Sequence, residues 1–252
     1  MSGSIYISAA GALNQQKRLE ILANNMANVN TSGFKEDRTA FRIYDLESSA
    51  AADKSRSGSV GKSEPFLPLP SGTQPVFSQG GLRQTGNPLD LTIEGDGFFS
   101  IQTPDGIRYT RNGSFNLNKA GVLVTKDGFP VLGEGGEIKI SDDDKAFTVD
   151  AEGNVSADEK QIGRLKIVDF SRPYQLAKAG NTFFELKDKG VKEITAERFQ
   201  TKQGYIELSN VNVIKSMTEM IEAFRGYESY QKVIKSIDDA NGKAVNEIGR
   251  TG

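Results

Sequence analysis

The chain has 252 residues with no histidine, cysteine or tryptophan, and its 31 basic and 33 acidic side chains give a formal net charge of −2. A balanced charge offers no basic field for nucleic acid or an anionic membrane, and without histidine or cysteine the chain cannot form a Ser-His-Asp or Cys-His nucleophile or a thiolate metal site. We therefore expect a protein with no catalytic residues, no metal, no cofactor and no small-molecule substrate.

The first predicted element is an amphipathic helix over residues 5–29, within an N-terminal coiled-coil segment assigned to residues 1–40. Apolar residues recur there at intervals of mostly three or four, which is the spacing of a helical seam. The beginning is mildly apolar, but no basic residue precedes Lys17, so we do not interpret it as a signal peptide. Nothing in the chain approaches the roughly 18 consecutive apolar residues of a transmembrane helix, and we expect no membrane insertion.

This helix ends in a run of asparagines, within the stretch ANNMANVNTSGFK. Asn28 and Asn30 fit a helix end, because asparagine favours turns and Gly33 can adopt the left-handed conformation that closes a helix. Asn24 and Asn25 lie too far inside the helix for that explanation. Either they face solvent without a specific role, or their amides bind another surface.

Residues 41–75 are predicted to form a loop or linker. Between Ser48 and Gln74 the sequence is rich in serine, alanine, glycine and proline and has no sustained period. This composition is typical of a long surface excursion or of a disordered tether.

Residues 76–208 predict a mainly antiparallel β domain of about ten strands, arranged as a barrel or a sandwich. Short alternating runs are separated by glycine turns such as DG, PDG, NG and KDG, which is typical of hairpins. The Gly-Asp-Gly run at 95–97 is interpreted as a turn and not as a nucleotide-binding loop, because strands flank it and its carboxylate would repel phosphate. The three aspartates at 142–144 lack the spacing of a calcium loop and are interpreted as a solvated loop.

The helical period returns in residues 209–252, which predict a C-terminal coiled-coil helix whose seam runs in alternating steps of four and three. Basic and acidic side chains are interleaved and equal in number from Lys215 to Arg250, a neutral surface suited to packing among like helices. Pairing with one N-terminal helix would offset only part of the entropy lost on ordering about 40 residues. We therefore expect other copies or relatives of the chain as partners.

The predicted fold class is α+β. The N- and C-terminal helices pair as a coiled coil, and a central, mainly antiparallel β domain lies between them in the sequence.

Three stretches of the sequence resemble the rod and hook axial proteins of the bacterial flagellum. They are LNQQKRLEILANNMANVNTSGFK, NPLDLTIEGDGFFSIQTPDGIRYTRNGSFNLNKAGVLVTKDGFPVLG and IELSNVNVIKSMTEMIEAFRGYESYQKVIKSIDDAN. Together they cover the N-terminal segment, most of the β domain and the C-terminal helix. Within the family, the length and the stretch TGNPLDLTIEGDGFF resemble the proximal rod subunit most closely, and the distal rod subunit next.

The resemblance implies a structural subunit of the basal-body rod, the drive shaft that transmits motor torque for motility. In that family the terminal helices line an inner tube and the β domain forms an outer layer. The implied partners are copies of the chain, other flagellar rod proteins and the flagellar type III export apparatus. The implied location is the periplasmic rod, reached by export without a cleaved signal peptide. A distal rod or hook-type axial subunit is the alternative.

We predict that both terminal helices contribute to the subunit interface. In a tube of closely packed helices, an amide that donates and accepts hydrogen bonds can fix the register of a neighbour, which is the role predicted for Asn24 and Asn25. The predicted interface residues are Leu19, Leu22, Asn24, Asn25, Met26, Val29, Val213, Met217, Met220, Phe224, Tyr227, Gln231, Ile234, Val245 and Ile248.

One enzymatic alternative remains, a β domain that binds or hydrolyses glycans with a pair of carboxylates. Glu94 or Asp96 together with Asp105 are the candidates, since a rod crosses peptidoglycan. Nothing in the sequence sets the separation of these carboxyl groups, so we expect a structural protein and not an enzyme.

Overall fold

The computed structural model describes residues 2–43, 68–140, 147–158, 160–171, 175–188 and 190–248. The helices are α1 Ser2–Ala27 and α2 Val213–Ile248. The strands are β1 Asp37–Ile43, β2 Pro68–Pro75, β3 Leu82–Gln84, β4 Leu91–Gly95, β5 Phe98–Thr103, β6 Gly106–Thr110, β7 Phe115–Leu117, β8 Leu123–Thr125, β9 Leu132–Gly133, β10 Gly136–Glu137, β11 Phe147–Val149, β12 Asn154–Ala157, β13 Lys160–Arg164, β14 Ile167–Asp169, β15 Leu176–Lys178, β16 Phe183–Leu186, β17 Ile194–Thr195, β18 Phe199–Gln203 and β19 Tyr205–Glu207.

The chain divides into two compact units. The helical unit comprises Met1–Asn24, Asp37–Gln74 and Val213–Gly252, and the β unit comprises Asn25–Glu36 and Pro75–Asn212. An N-terminal helix, a central antiparallel β region and a C-terminal helix confirm the predicted α+β class. The last residues of α1 and the segment that follows them group with the β unit, although they are continuous in sequence with the helix.

The β unit is built around a six-stranded sheet in the order β15-β16-β6-β5-β14-β17, in which the paired strands are antiparallel. Successive residues of a strand face opposite sides of a sheet, and Phe98 and Phe99 in β5 are both almost completely buried in separate apolar clusters. Both faces of this strand are therefore covered, which explains why its sequence FFSI is not a simple alternation of apolar and polar residues.

The remaining described strands form one three-stranded sheet, β11-β12-β13, and five pairs: β1-β2, β9-β10, β4-β18, β3-β19 and β7-β8. The prediction of about ten strands is too low, because the described residues between Leu82 and Glu207 form β3 to β19. The predicted turn after β5 is present, and β6 begins there at Gly106 with a φ of 120°, a conformation that favours glycine.

Part of the predicted linker is a strand. Residues 68–75 form β2 and pair with β1, whereas residues 44–67 lie outside the described part of the chain. Prolines are tolerated in β2 because a two-stranded pair leaves one edge of each strand without ladder hydrogen bonds.

In the helical unit, α1 and α2 contact each other at two glycines. A Cβ atom placed on Gly11 would lie 2.4 Å from a ring carbon of Tyr230, and one placed on Gly226 would lie 3.2 Å from Cδ of Gln15. Each glycine therefore makes room for a larger side chain of the other helix. The position along α2 falls as the position along α1 rises, so the two helices are antiparallel.

Replacing Gly11 by leucine should destabilise the helical unit, because the new side chain would occupy the space of the Tyr230 ring. The control is Gly242→Leu in α2, where a Cβ atom would meet no atom within 4 Å. Both changes replace glycine by a stronger helix former, so the difference between them isolates the clash. Thermal unfolding followed by circular dichroism at 222 nm should show a lower Tm for Gly11→Leu alone, and equal shifts would contradict the proposed register.

A polar cluster fixes the start of β17 in the β unit. Glu193 accepts a hydrogen bond from Tyr109 Oη at 2.5 Å and forms an ion pair with Lys166 at 2.7 Å. Burial raises the pKa of Glu193, but the hydrogen bonds from Lys166 and Tyr109 and the charge of Lys166 outweigh it, and the pKa is lowered. Burial, with the hydrogen bond to Glu193, raises the pKa of the Tyr109 phenol.

These shifts predict the direction of pH dependence. The pKa of Glu193 is lower in the folded chain than in the unfolded chain, where it is roughly 4.3. The ionised carboxylate therefore stabilises the fold above the unfolded-state pKa, and this stabilisation is lost as the pH falls through the folded-state pKa. Glu193→Gln should therefore flatten the acid limb of a plot of urea midpoint against pH, whereas Glu185→Gln, at an exposed position in β16, should not. Identical acid limbs for Glu193→Gln and the unaltered chain would contradict this assignment.

Candidate subunit interface

The face of α2 that packs against α1 carries two small residues and one tyrosine. Ala223 is completely buried, and Gly226 and Tyr230 contact α1. Phe224 follows Ala223 by one residue, a rotation of about 100° around the helix, and it is 52% exposed. Of the large apolar residues that the heptad pattern selects, Met217 and Phe224 therefore lie off the contact face of α2.

Four large apolar side chains form an exposed stripe on α2, which we call the apolar stripe. Its members are Ile214, Met217, Ile221 and Phe224, spaced by three, four and three residues and between 50% and 79% exposed. Residues at this spacing lie on one side of a helix. Exposed apolar side chains grouped in this way mark surfaces that bind other proteins.

The structure places the predicted interface residues in several different environments. Met217 and Phe224 belong to the apolar stripe, and Gln231 is exposed and donates a hydrogen bond to Tyr227 Oη at 2.7 Å. Leu22 is buried, whereas a larger group is only partly buried: Leu19, Met26, Val29, Val213, Met220, Tyr227 and Ile234. Val245 and Ile248 belong to α2, but their side chains lie outside the described part. Ile214 and Ile221 were not among the predicted residues, although a spacing of three, four and three residues along α2 identifies them.

The asparagine run is divided between two environments. Asn24 is exposed, whereas Asn25 is completely buried and Asn28 is 6% exposed. Asn25 thus has no free surface to offer a second subunit in this conformation, and its burial favours a role inside the chain. The predicted bond from Asn24 to a neighbouring subunit stays a prediction.

Gly33 adopts the predicted left-handed conformation, but α1 ends earlier, at Ala27, so Gly33 does not cap this helix. Its φ of 70° is left-handed, and a Cβ atom there would lie 2.3 Å from the backbone nitrogen of Asn112. Its N–H donates to the carbonyl oxygen of Glu207 at 2.8 Å. Only glycine satisfies both the conformation and the close approach.

A buried charge cluster lies beside this turn. Lys35 Nζ is 2.6 Å from Glu207 Oε1, and Arg111 Nη1 is 3.5 Å from Glu207 Oε2. The three side chains are at most 4% exposed. Glu207 Oε1 also accepts the N–H of Gly80 at 2.9 Å, and Lys35 donates to the carbonyl oxygen of Ser78 at 2.8 Å. The carboxylate of Glu207 is therefore the counter-charge of two buried cations, Lys35 and Arg111.

The electrostatics of Lys35 reflect this burial. Burial lowers the pKa of Lys35, the positive charge of Arg111 acts in the same direction, and Glu207 opposes both. Lys178 supports the same segment, since its Nζ donates to the carbonyl oxygen of Lys35 at 2.6 Å and lies 3.8 Å from the ring centre of Phe34. None of the residues of this charge cluster was predicted from the sequence.

The carboxylates considered for glycan chemistry have other partners. Glu94 pairs with Lys202, and Asp105 pairs with Arg108 at 2.8 Å. The Gly-Asp-Gly run at 95–97 is a turn between β4 and β5, as predicted, with both glycines at positive φ. The aspartates at 142–144 lie outside the described residues.

Neither helix in the described part of the chain combines the length and the apolar character of a membrane span. Among the same residues, no group of three or more acidic side chains is placed to hold a metal ion.

Terminal helices with an exposed apolar stripe, joined through an antiparallel β unit, are typical of structural proteins that assemble into larger complexes. Comparison with known families gives three matches. Residues 92–157 match the flagellar hook protein FlgE/F/G D1 domain, residues 202–247 match the flagellar basal body rod FlgEFG protein C-terminal region, and residues 5–35 match the flagella basal body rod protein family.

Relatives match over nearly the whole chain. The flagellar basal-body rod protein FlgG of Bacillus subtilis (strain 168) is 36% identical, over 98% of this chain and 99% of the relative. FlgF of Caulobacter vibrioides is 32% identical over 99% of both chains. The flagellar hook-basal body complex protein FlhO of Bacillus subtilis is 34% identical, over 99% of this chain and 100% of the relative. The chain belongs to the flagellar basal-body rod protein family, and it is a structural subunit of the rod and not an enzyme.

Proposed function

We propose that this subunit joins the rod through its two helices, which pair as a coiled coil and bury the apolar stripe of α2 against neighbouring subunits. The observation that carries the proposal is the exposure of the stripe, where Ile214 reaches 79% and the other members at least 50%. Full burial of such a side chain from water contributes about 1.5 to 3 kcal/mol, and half or more of each stripe side chain is still exposed. A surface of this kind is stabilised when another subunit covers it.

The partners we propose are copies of the chain and other rod proteins. On α2, basic and acidic side chains are interleaved, as in the pair Lys215 and Glu219, whose charged atoms are 3.8 Å apart. Such a surface packs against similar helices without a net repulsive charge. Asn24, which is exposed near the end of α1, supplies an amide that can fix the register of a neighbour.

We also propose the periplasmic rod as the location, and export of the unfolded chain by the flagellar type III apparatus without a cleaved signal peptide. This part rests on membership of the rod family. Within the rod we propose the proximal position, with the distal position or a hook-type role as the alternative, since relatives named FlgG and FlgF both match nearly the whole chain.

Electron cryo-tomography of basal bodies tests this role. Cells without the reading frame should show a truncated rod and no hook, and a complemented strain should show both. Truncation near the base would support the proximal position, and truncation near the outer end the distal one. Complete rods and hooks in the deletion strain would contradict the proposed function.

A further inference from the structure

The segment that follows α1 is a folded part of the β unit. Its backbone makes successive short turns, with the N–H of Asn28 donating to Asn25 O, that of Thr31 to Asn28 O and that of Phe34 to Thr31 O, at 3.1 to 3.3 Å. Thr31 Oγ1 donates to Asn28 Oδ1 at 3.2 Å, and Phe34 is 1% exposed. We call residues 28–36 the clasp.

The clasp binds the chain just before α2 at three points. Gly33 N–H donates to the carbonyl oxygen of Glu207, Lys35 pairs with the carboxylate of Glu207, and Glu36 N–H donates to Asn210 Oδ1 at 2.7 Å. Asn210 Nδ2 in turn donates to the carbonyl oxygen of Val76 at 2.8 Å, and Val76 N–H donates to Glu36 O at 2.8 Å. Three segments remote in sequence therefore share one hydrogen-bond network.

We infer that the clasp and residues 205–210 order together or not at all, so that the end of α1 is fixed only when the chain leading into α2 is in place. The physical reason is that the two segments carry the opposite charges of one buried ion pair, Lys35 and Glu207. Glu207 is the carboxylate that Lys35 and Arg111 share inside the β unit, and a buried cation without its counter-charge is strongly destabilising.

The close packing at Gly33 makes the fit specific. Because a Cβ atom at this position would meet backbone atoms of Arg111 and Asn112, the clasp has no room to bind in a shifted register. The arrangement therefore has two states, with the clasp bound or released.

The coupling has a consequence for assembly, which rests on the proposed function. A chain that has not yet delivered residues 205–210 to the β unit cannot hold the clasp. Such a chain presents the end of α1 in a different conformation, so only a chain in which residues 205–210 are bound to the clasp offers an ordered end of α1 and start of α2 to a growing rod.

Hydrogen–deuterium exchange of the full-length chain in dilute solution tests the coupling without requiring rod assembly. In Lys35→Met, amides of the clasp and of residues 205–210 should both exchange about tenfold faster or more, while amides of the β5–β6 hairpin keep their protection. The control is Lys202→Met, which removes an exposed ion pair with Glu94 and should leave both segments unchanged. Acceleration confined to the clasp, or none in either segment, would overturn the inference.

If Lys35→Met does not yield a folded chain, a second variant tests the coupling between the clasp and residues 205–210. Asn210→Ala removes the hydrogen bonds to Glu36 and Val76 without changing a charge. Faster exchange in the clasp and in residues 205–206 together would support coupling. Faster exchange at residues 205–206 with an unaltered clasp would overturn it.

Discussion

Cells that carry Phe224→Asp should lose motility although the variant chain remains folded. Phe224 is 52% exposed and belongs to the apolar stripe, so an aspartate there costs little in the isolated subunit. In a rod where the stripe is covered, the same aspartate is a buried charge without a partner, which costs several kcal/mol. Swimming in soft agar and tomography of the rods measure the effect.

The matched control is Ser229→Asp, at an exposed position of the same helix. It adds the same charge outside the stripe and should leave motility within about twofold of the unaltered strain, since surface changes usually cost under about 0.5 kcal/mol. Thermal unfolding of both purified variants should match the unaltered chain. Full motility with Phe224→Asp would show that the stripe is not a subunit contact.

Glu207→Leu should be the most destabilising single change in the β unit, by about 3 to 5 kcal/mol. It removes the Glu207 carboxylate from the buried Lys35 and Arg111, together with the acceptor for the N–H of Gly80. Lys35→Met should cost less, because Glu207 then keeps both Arg111 and Gly80. Urea unfolding followed by tyrosine fluorescence measures the free energy of unfolding.

Glu94→Leu provides the comparison for this prediction. Glu94 also forms an ion pair, with Lys202, but both side chains are more than 40% exposed, and exposed pairs contribute about 0 to 1 kcal/mol. If Glu207→Leu and Glu94→Leu lower stability equally, the buried cluster does not have the role assigned to it.

Local patterns predicted the helices and the turns well. The period of three and four residues places α1 and α2, and glycine turns such as the one at 95–97 are where the sequence puts them. These features depend on neighbouring residues only, so periodicity and the conformational freedom of glycine suffice to find them.

The contact face of α2 could not be predicted in the same way. A heptad pattern gives most weight to large residues such as Met217 and Phe224, but the helices meet at Gly11 and Gly226. In a sequence these glycines only weaken a helix. These glycines leave space for Tyr230 and Gln15, which can be recognised only when the packing of the two helices is known.

The buried charge cluster is the least predictable part. Lys35 and Glu207 are 172 positions apart, and neither has a local pattern that distinguishes it from a solvated lysine or glutamate. Burial of these side chains follows from the tertiary packing of the segments around them. A balanced count of charges in the sequence carries no information about which pair is enclosed.

The exposure of the large apolar residues of α2 also predicts how a contact made through them would depend on temperature. Because the pair of helices meets at glycines, the larger side chains of the apolar stripe are exposed to water in the single subunit. Contacts that bury apolar surface are driven near room temperature by the entropy of released water and have a negative heat-capacity change. If another subunit covers the stripe as proposed, we expect that contact to weaken on cooling.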